Sequence, residues 1–166
     1  MDTGIGVKAG PAGDTSKETI SAVPHDGSVP ARAGTELRVS TLEDVTRLAC
    51  ELPEVTEGER HGNRTWFVAG KAFAWDRPFS KADIRRFGDE TPPEGPILAV
   101  RVEDLGEKEA VLAAHPEAFF TIAHFDGYSA ILIQLRLVTE KALREAITDG
   151  WLACAPAKLA AQYLSH

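Results

Sequence analysis

The chain has 166 residues, of which 43% are hydrophobic, and its formal net charge is −7. This length is typical of one domain with one core. No apolar run approaches the roughly 18 residues that span a membrane, and the N-terminus lacks the charged and apolar segments of a secretory signal. The acidic balance argues against general affinity for nucleic acid or anionic membranes, although it permits a local basic patch. We therefore expect a cytoplasmic protein without a membrane partner.

The first residues differ in composition from the rest. Residues 1–39 are rich in glycine, proline, serine, threonine and alanine, contain no aromatic residue and show no helical or strand period. Such a segment buries too little apolar surface to offset its ordering entropy. We predict a disordered tail over residues 1–39 and a single domain over residues 40–166. Cys50 and Cys154 fall in predicted helices without metal-ligand spacing, and we expect both to be buried free thiols in a reducing compartment.

The domain is predicted to begin with a helix and a hairpin. Ser40 to Glu43 has the pattern of a capping box with Ser40 as the N-cap, and an apolar stripe at helical spacing then runs to Pro53. The polar residues 56–63 are predicted to form a short edge strand. Residues 65–68 and 72–75 flank a glycine-containing turn and predict a β-hairpin.

The connection over residues 77–95 is the longest in the predicted domain. Connections longer than about 12–15 residues are uncommon unless they bind something or are disordered. We predict one helical turn within it, over residues 82–87. A clear strand follows over residues 96–102, and Asp104 is predicted to cap a helix over residues 105–114.

The C-terminal half centres on residues 119–137. This stretch predicts two strands separated by a loop that holds His124, Phe125, Asp126 and Tyr128. Alternation over residues 131–137 predicts a strand with one covered face and one partly wet face. Thr139 is predicted to cap a helix that breaks or bends at Gly150, and Pro156 to start the last helix.

Hairpins without regular βαβ alternation indicate an α+β fold. We expect a largely antiparallel sheet of about five to six strands, flanked by an N-terminal helix and C-terminal helices. An exposed edge strand near Glu57 would permit a dimer, but the pattern does not specify an oligomeric state.

A basic and aromatic segment is the first candidate for function. Between residues 60 and 86, seven basic side chains stand against two acidic ones. The basic residues are Arg60, Arg64, Lys71, Arg77, Lys81, Arg85 and Arg86. Five aromatic residues are interleaved with them, a composition typical of surfaces that bind single-stranded or looped nucleic acid. The segment therefore predicts DNA binding. No helix-turn-helix, RNP or zinc-finger motif is present to read a sequence.

A pocket for a small planar aromatic metabolite is the alternative. Trp66, Trp75, His124, Phe125 and Tyr128 would line one cavity if the hairpin and the central loop converge, and the long connection would serve as its lid. The same aromatic residues support both hypotheses. A continuous exposed stripe of basic side chains would indicate nucleic acid, whereas their dispersal around a closed cavity would indicate a small ligand.

Catalysis has weaker support in the sequence. His61, His115 and His124 are spread along the chain, and only His124 and Asp126 form a close titratable pair. This pair lacks a third partner at a known spacing, and no phosphate-binding, nucleophile-elbow or zinc-protease motif occurs. We predict a binding protein without a catalytic site, a metal or a cofactor.

Four blocks together resemble the MmcQ/YjbR-like family of small bacterial proteins. The blocks are residues 52–55 after the first helix, residues 66–74 of the hairpin, residues 119–128, and Trp151 with residues 155–159. Their order covers the chain from about Thr41 to Tyr163. The resemblance implies a compact α+β domain with an antiparallel sheet between its terminal helices. It also implies DNA binding through projecting loops, while other members are associated by name with natural-product biosynthesis.

Overall fold

The computed structural model describes residues 39–165, so the tail predicted over residues 1–39 lies outside the described part except for Val39. The elements of this part are α1 (Leu42–Ala49), β1 (Val55–Arg60), β2 (Asn63–Val68), β3 (Lys71–Asp76), α2 (Lys81–Phe87), β4 (Ile97–Arg101), α3 (Leu105–Ala114), β5 (Phe119–Phe120), β6 (Ala130–Gln134), α4 (Glu140–Cys154) and α5 (Ala157–Leu164). A 3₁₀ turn lies at Ala123–Phe125.

The described strands form one six-stranded sheet in the order β1-β2-β3-β4-β6-β5. Every neighbouring pair is antiparallel, which confirms the predicted α+β class. Strand β1 lies at one edge, as predicted. Both early hairpins turn through two residues with positive φ, His61 and Gly62 in the first and Ala69 and Gly70 in the second. Type I′ turns need this conformation, and their twist matches that of the strands.

The main core lies between the sheet and helices α1 and α4. Trp151 on α4 is fully buried, and its indole N–H donates to the carbonyl of Pro53 at 3.0 Å. Of the predicted break or bend at Gly150, the break does not occur, because α4 continues through it to Cys154. A Cβ at Gly150 would lie 2.6 Å from Val100 Cγ1 and 3.2 Å from the Phe73 carbonyl oxygen. Glycine is therefore needed here for close packing of the helix on the sheet.

The opposite face of the sheet is covered over β4 and β6, and it becomes exposed toward Gln134 and Arg136, in keeping with the predicted partly wet face. A second apolar cluster buries Ile97, Ala99, Phe125, Ala130 and Leu132. Strand β6 also ends at Gln134 instead of residue 137. The N–H of Leu137 bonds back to the Gln134 carbonyl at 3.0 Å and turns the chain toward α4, which leaves Leu137 49% exposed.

Helix α1 starts one residue later than predicted. Thr41 is the N-cap: its hydroxyl accepts from the Asp44 N–H at 3.3 Å, and Asp44 Oδ2 accepts from the Thr41 N–H at 2.8 Å. Ser40 instead donates its N–H to the Leu135 carbonyl at 3.2 Å, which ties it to the end of β6. Cys50 is exposed because it forms the C-cap of α1, whereas Cys154 is buried as predicted.

Candidate functional site

A groove opens at the end of the sheet where the β1–β2 turn and the end of β3 meet α2. Its volume is about 510 Å³. Its charged and aromatic lining consists of Arg60, His61, Trp75, Arg77, Asp83, Arg86 and His124. Asn63, Thr65 and Ser80 add polar groups. A tight hairpin turn positions part of this lining, because only His61 and Gly62 separate the end of β1 at Arg60 from the start of β2 at Asn63.

A β-bulge turns Trp75 into the groove. In a regular hairpin with Val68 opposite Lys71, Trp66 would pair with Phe73, and both tryptophans would lie on one face. The register instead shifts between Trp66 and Phe67, so that Trp66 lies opposite Ala74 and Trp75 opposite Thr65. The extra residue on β3 sends the two tryptophans to opposite faces. Bulges beside binding sites commonly re-aim a side chain in this way.

Trp75 is half-buried against the central loop. Its ring centroid lies 6.5 Å from that of Phe125 and 6.4 Å from that of Tyr128. His124 of the same loop lines the groove. Trp66 is fully buried in the main core, where its indole N–H donates to Thr46 Oγ1 at 3.2 Å. Of the five predicted pocket residues, Trp75 and His124 line the groove, while Phe125 and Tyr128 pack behind Trp75. Trp66 lies on the other face of the sheet.

A buried carboxylate anchors two of the groove arginines. The Asp83 side chain is 2% exposed and lies 2.9 Å from Arg77 Nη1 and 3.6 Å from Arg86 Nη1. It also accepts from the Ser80 N–H at 2.9 Å. Burial by itself raises the pKa of the Asp83 carboxyl, but hydrogen bonds from Ser80 and Arg77 outweigh burial and hold the pKa below its usual range. Asp83 is therefore ionised at neutral pH and holds both guanidinium groups in place.

Three further predicted cations lie around the groove. Arg60, at the end of β1, is exposed and lines it. Lys81 and Arg85 lie one turn apart on the solvent-exposed side of α2, next to the groove but outside its lining. Among residues 39–165, none of these three side chains forms an ion pair. Their charges are therefore open to an anion.

The other two predicted cations lie elsewhere. Arg64 is paired with Glu57 at 2.9 Å and Glu43 at 3.1 Å, and donates to Thr46 at 2.8 Å. Burial raises the pKa of Glu57, but hydrogen bonds from Thr46 and Arg64 outweigh burial, so that the pKa lies below its usual value. Lys71 lies at the opposite end of β3, about 13 Å from the groove residue Trp75 by the rise of a strand. The seven cations thus divide into five at the groove and two away from it.

Two of the predicted histidines meet at the groove, but the described residues contain no histidine-based metal cluster. His61 lines the same groove as His124 because the β1–β2 turn places it there. In the sequence it is only an isolated histidine. No hydrogen bond or ion pair joins His124 to Asp126 in the described part of the chain. Within that same part, no three histidine, cysteine or carboxylate groups lie close enough to hold a metal ion.

The fold and the groove define a small α+β protein with a fully antiparallel sheet and a basic, aromatic-walled surface at one end. The YjbR family model matches residues 50–153. Proteins of Mycobacterium tuberculosis and Mycobacterium bovis, both named as uncharacterized, are 40% identical over 131 residues, covering 77% of this chain and 98% of theirs. The chain therefore belongs to the YjbR family, as its four sequence blocks predict.

The chain is also similar to a solved structure. The crystal structure of a Deinococcus radiodurans protein with a DUF419 domain is 19% identical, with a TM-score of 0.49 over 69% of this chain and 78% of that chain.

None of the helices within residues 39–165 has the length and apolar character to cross a membrane.

Proposed function

We propose that the domain is a non-enzymatic protein that binds single-stranded DNA in the groove, in the cytoplasm. The observation that supports this most is the gathering of five cations around one half-buried tryptophan. These cations are Arg60, Arg77, Lys81, Arg85 and Arg86. Proteins that bind single strands combine a positive groove for the backbone with aromatic side chains on which bases stack. The two free cysteines fit a reducing compartment.

Each part of the groove has a role in this proposal. Arg60 and Arg86 contact phosphates, and Arg77, fixed by Asp83, supplies a third positive charge. A base stacks on Trp75, an interaction that contributes about 1–3 kcal/mol. Lys81 and Arg85 contact phosphates where the strand leaves the groove. Because stacking tolerates every base, we expect weak sequence preference.

Fluorescence anisotropy with a labelled single-stranded oligothymidylate at several salt concentrations tests the proposal. Arg60→Ala and Arg86→Ala should each weaken binding and lower the slope of log affinity against log salt by about 0.7, the value for one lost phosphate contact on a single strand. Arg144→Ala is the matched control. It removes the same charge from an exposed position on α4, across the sheet from the groove.

Two results would contradict the proposal. One is a protein that does not bind the oligonucleotide even at low salt. The other is binding that Arg60→Ala and Arg86→Ala weaken no more than Arg144→Ala does, because a general charge effect would then account for the affinity.

A small planar aromatic anion is the second candidate ligand. The groove volume of about 510 Å³ lies within the range of about 300–1,000 Å³ that is common for small-molecule sites, and Trp75 forms one wall. Because Lys81 and Arg85 lie outside the lining, their joint replacement by alanine separates the candidates. Oligothymidylate binding should weaken, whereas a small ligand held within the groove, with the planar carboxylate naphthoate as probe, should bind unchanged.

A further inference from the structure

Helix α3 contains a buried lysine, Lys108, at a position where the helix itself does not favour a lysine. Lys108 is in the first turn of α3 and is 6% exposed, while its neighbours Glu107 and Glu109 are exposed. A cation near a helix N-terminus opposes the helix dipole. Burial lowers the pKa of Lys108, and the charge of Asp126 opposes that shift only in part. A residue that is unfavourable in its own helix points to a role elsewhere in the fold.

The ammonium group of Lys108 donates hydrogen bonds to one turn of the central loop. Its Nζ donates to the carbonyl of Phe125 at 2.6 Å and to that of Tyr128 at 2.8 Å. These carbonyls belong to the first and last residues of a β-turn that is closed by the Tyr128 N–H on the Phe125 carbonyl at 3.0 Å. Asp126 has φ −61° and ψ 130°, and Gly127 has φ 74°, as in a type II turn. One charged donor therefore holds both ends of the turn.

The aromatic side chains of this turn lie behind the groove lining and contact it through Trp75. Phe125 and Tyr128 both pack against Trp75. The guanidinium carbon of Arg77 lies 5.5 Å from the Phe125 ring centroid. Trp75 and Arg77 in turn line the groove. A continuous set of contacts thus runs from Lys108 through the turn to two groove residues.

We propose that Lys108 is a positioning residue for the groove, although it does not line it. By holding the 125–128 turn, it fixes the aromatic side chains that support Trp75 and Arg77. The expected change in ligand affinity rests on the DNA binding proposed above, whereas the expected change in the packing of Trp75 does not. When the ammonium is removed, two carbonyls lose a charged donor and the turn relaxes. Trp75 then loses its support, and a stacked base is held less well.

Lys108→Met tests this inference, because methionine fills similar space without a donor. Lys141→Met is the matched control, since Lys141 is an exposed lysine whose side chain is 83% exposed. Acrylamide quenching of tryptophan fluorescence reports on Trp75, because Trp66 and Trp151 are both 0% exposed. Lys108→Met should increase quenching and weaken oligothymidylate binding about tenfold, the effect of losing part of one charge-assisted hydrogen-bond network. Lys141→Met should change neither.

The two measurements separate this inference from the proposed function. Unchanged quenching and unchanged binding in Lys108→Met would overturn the positioning role. If Lys108→Met increases quenching but the wild-type protein does not bind the oligonucleotide, the positioning role is upheld and DNA binding is refuted. If Lys108→Met does not fold, Gly127→Ala replaces it. This change strains the same turn at φ 74° in open space, so quenching and affinity should change in the same direction, and unchanged values would count against the role of the turn.

Discussion

Two arginine networks lie on opposite faces of the sheet. They contain the same residue types but differ in how many carboxylates they contain for each guanidinium. Arg64 lies over the ring of Trp66 at 5.5 Å and is paired with two glutamates and a threonine hydroxyl. Arg77 lies over the ring of Phe125, also at 5.5 Å, but shares one carboxylate, that of Asp83, with Arg86. The first network contains two carboxylates for one guanidinium, and the second contains one carboxylate for two.

This difference in charge balance indicates what each network does. The Arg64 network joins α1 to β1 and β2 and leaves no unpaired positive charge, so it stabilises the fold. The groove network holds its arginines in place without neutralising them, and Arg60 adds a third guanidinium without an ion pair in the described residues. Arginines beside aromatic rings are therefore a weak functional signal until their acidic partners are known.

Replacement of the two tryptophans should show the largest contrast between these faces. Trp66→Ala should lower the free energy of unfolding by about 3–5 kcal/mol, because it removes a fully buried indole from the core. Trp75→Ala should cost only about 1–2 kcal/mol, since Trp75 is half-buried. Urea denaturation followed by circular dichroism measures both.

Binding should show the reverse order. Trp75→Ala should weaken oligothymidylate binding by about 1–3 kcal/mol, the contribution of one stacked base. A folded Trp66→Ala protein should bind as the wild type does. Equal losses of stability in the two variants, or a binding loss confined to Trp66→Ala, would show that the bulge does not divide the tryptophans between core and site.

Acid titration should show an intermediate effect at Asp83. Hydrogen bonds from Ser80 and Arg77 hold the folded-state pKa of Asp83 below its unfolded value, although burial opposes them. Its contribution to stability is therefore complete above the unfolded pKa of about 3.9 and is lost as the pH falls through the lower folded pKa. Asp83→Asn should be less stable by about 2 kcal/mol at neutral pH, with less further loss below about pH 4.

The matched control for Asp83 is Thr139→Ala, which removes the capping hydroxyl of α4 and leaves Asp83 with Ser80 and both arginines. Urea denaturation across the acidic range should show the wild type and Thr139→Ala losing stability in parallel, while the curve of Asp83→Asn is flatter. If all three curves ran parallel, Asp83 would not be the anchor described here.

Much of the fold could be predicted because its signals are local. Glycine in the tight turns, alternation in the strands and Asp104 ahead of α3 each act within a few residues. Gly150 shows the limit of such signals. Glycine commonly ends helices. Gly150 instead lets α4 lie close to Val100 and the Phe73 carbonyl, because it has no Cβ. That need arises only when α4 packs on the sheet.

The candidate site was harder to predict because it depends on pairing. With Val68 opposite Lys71, a regular hairpin would place Trp66 and Trp75 on one face, and the register shift separates them. The partners of Arg64 come from α1 and β1, up to 21 residues away in sequence. Lys108 lies 17 and 20 residues from the carbonyls that it binds. No local pattern marks such a residue.

The most direct test compares the two arginine networks in one experiment. Side-chain Nε–Hε resonances of the arginines, followed by ¹H–¹⁵N NMR during titration with oligothymidylate, report contact at each guanidinium separately. The account predicts that Arg60, Arg77 and Arg86 shift together and saturate, while Arg64 stays unchanged in its two ion pairs. Shifts at Arg64 without shifts at the three groove arginines, or no shifts at all, would contradict it.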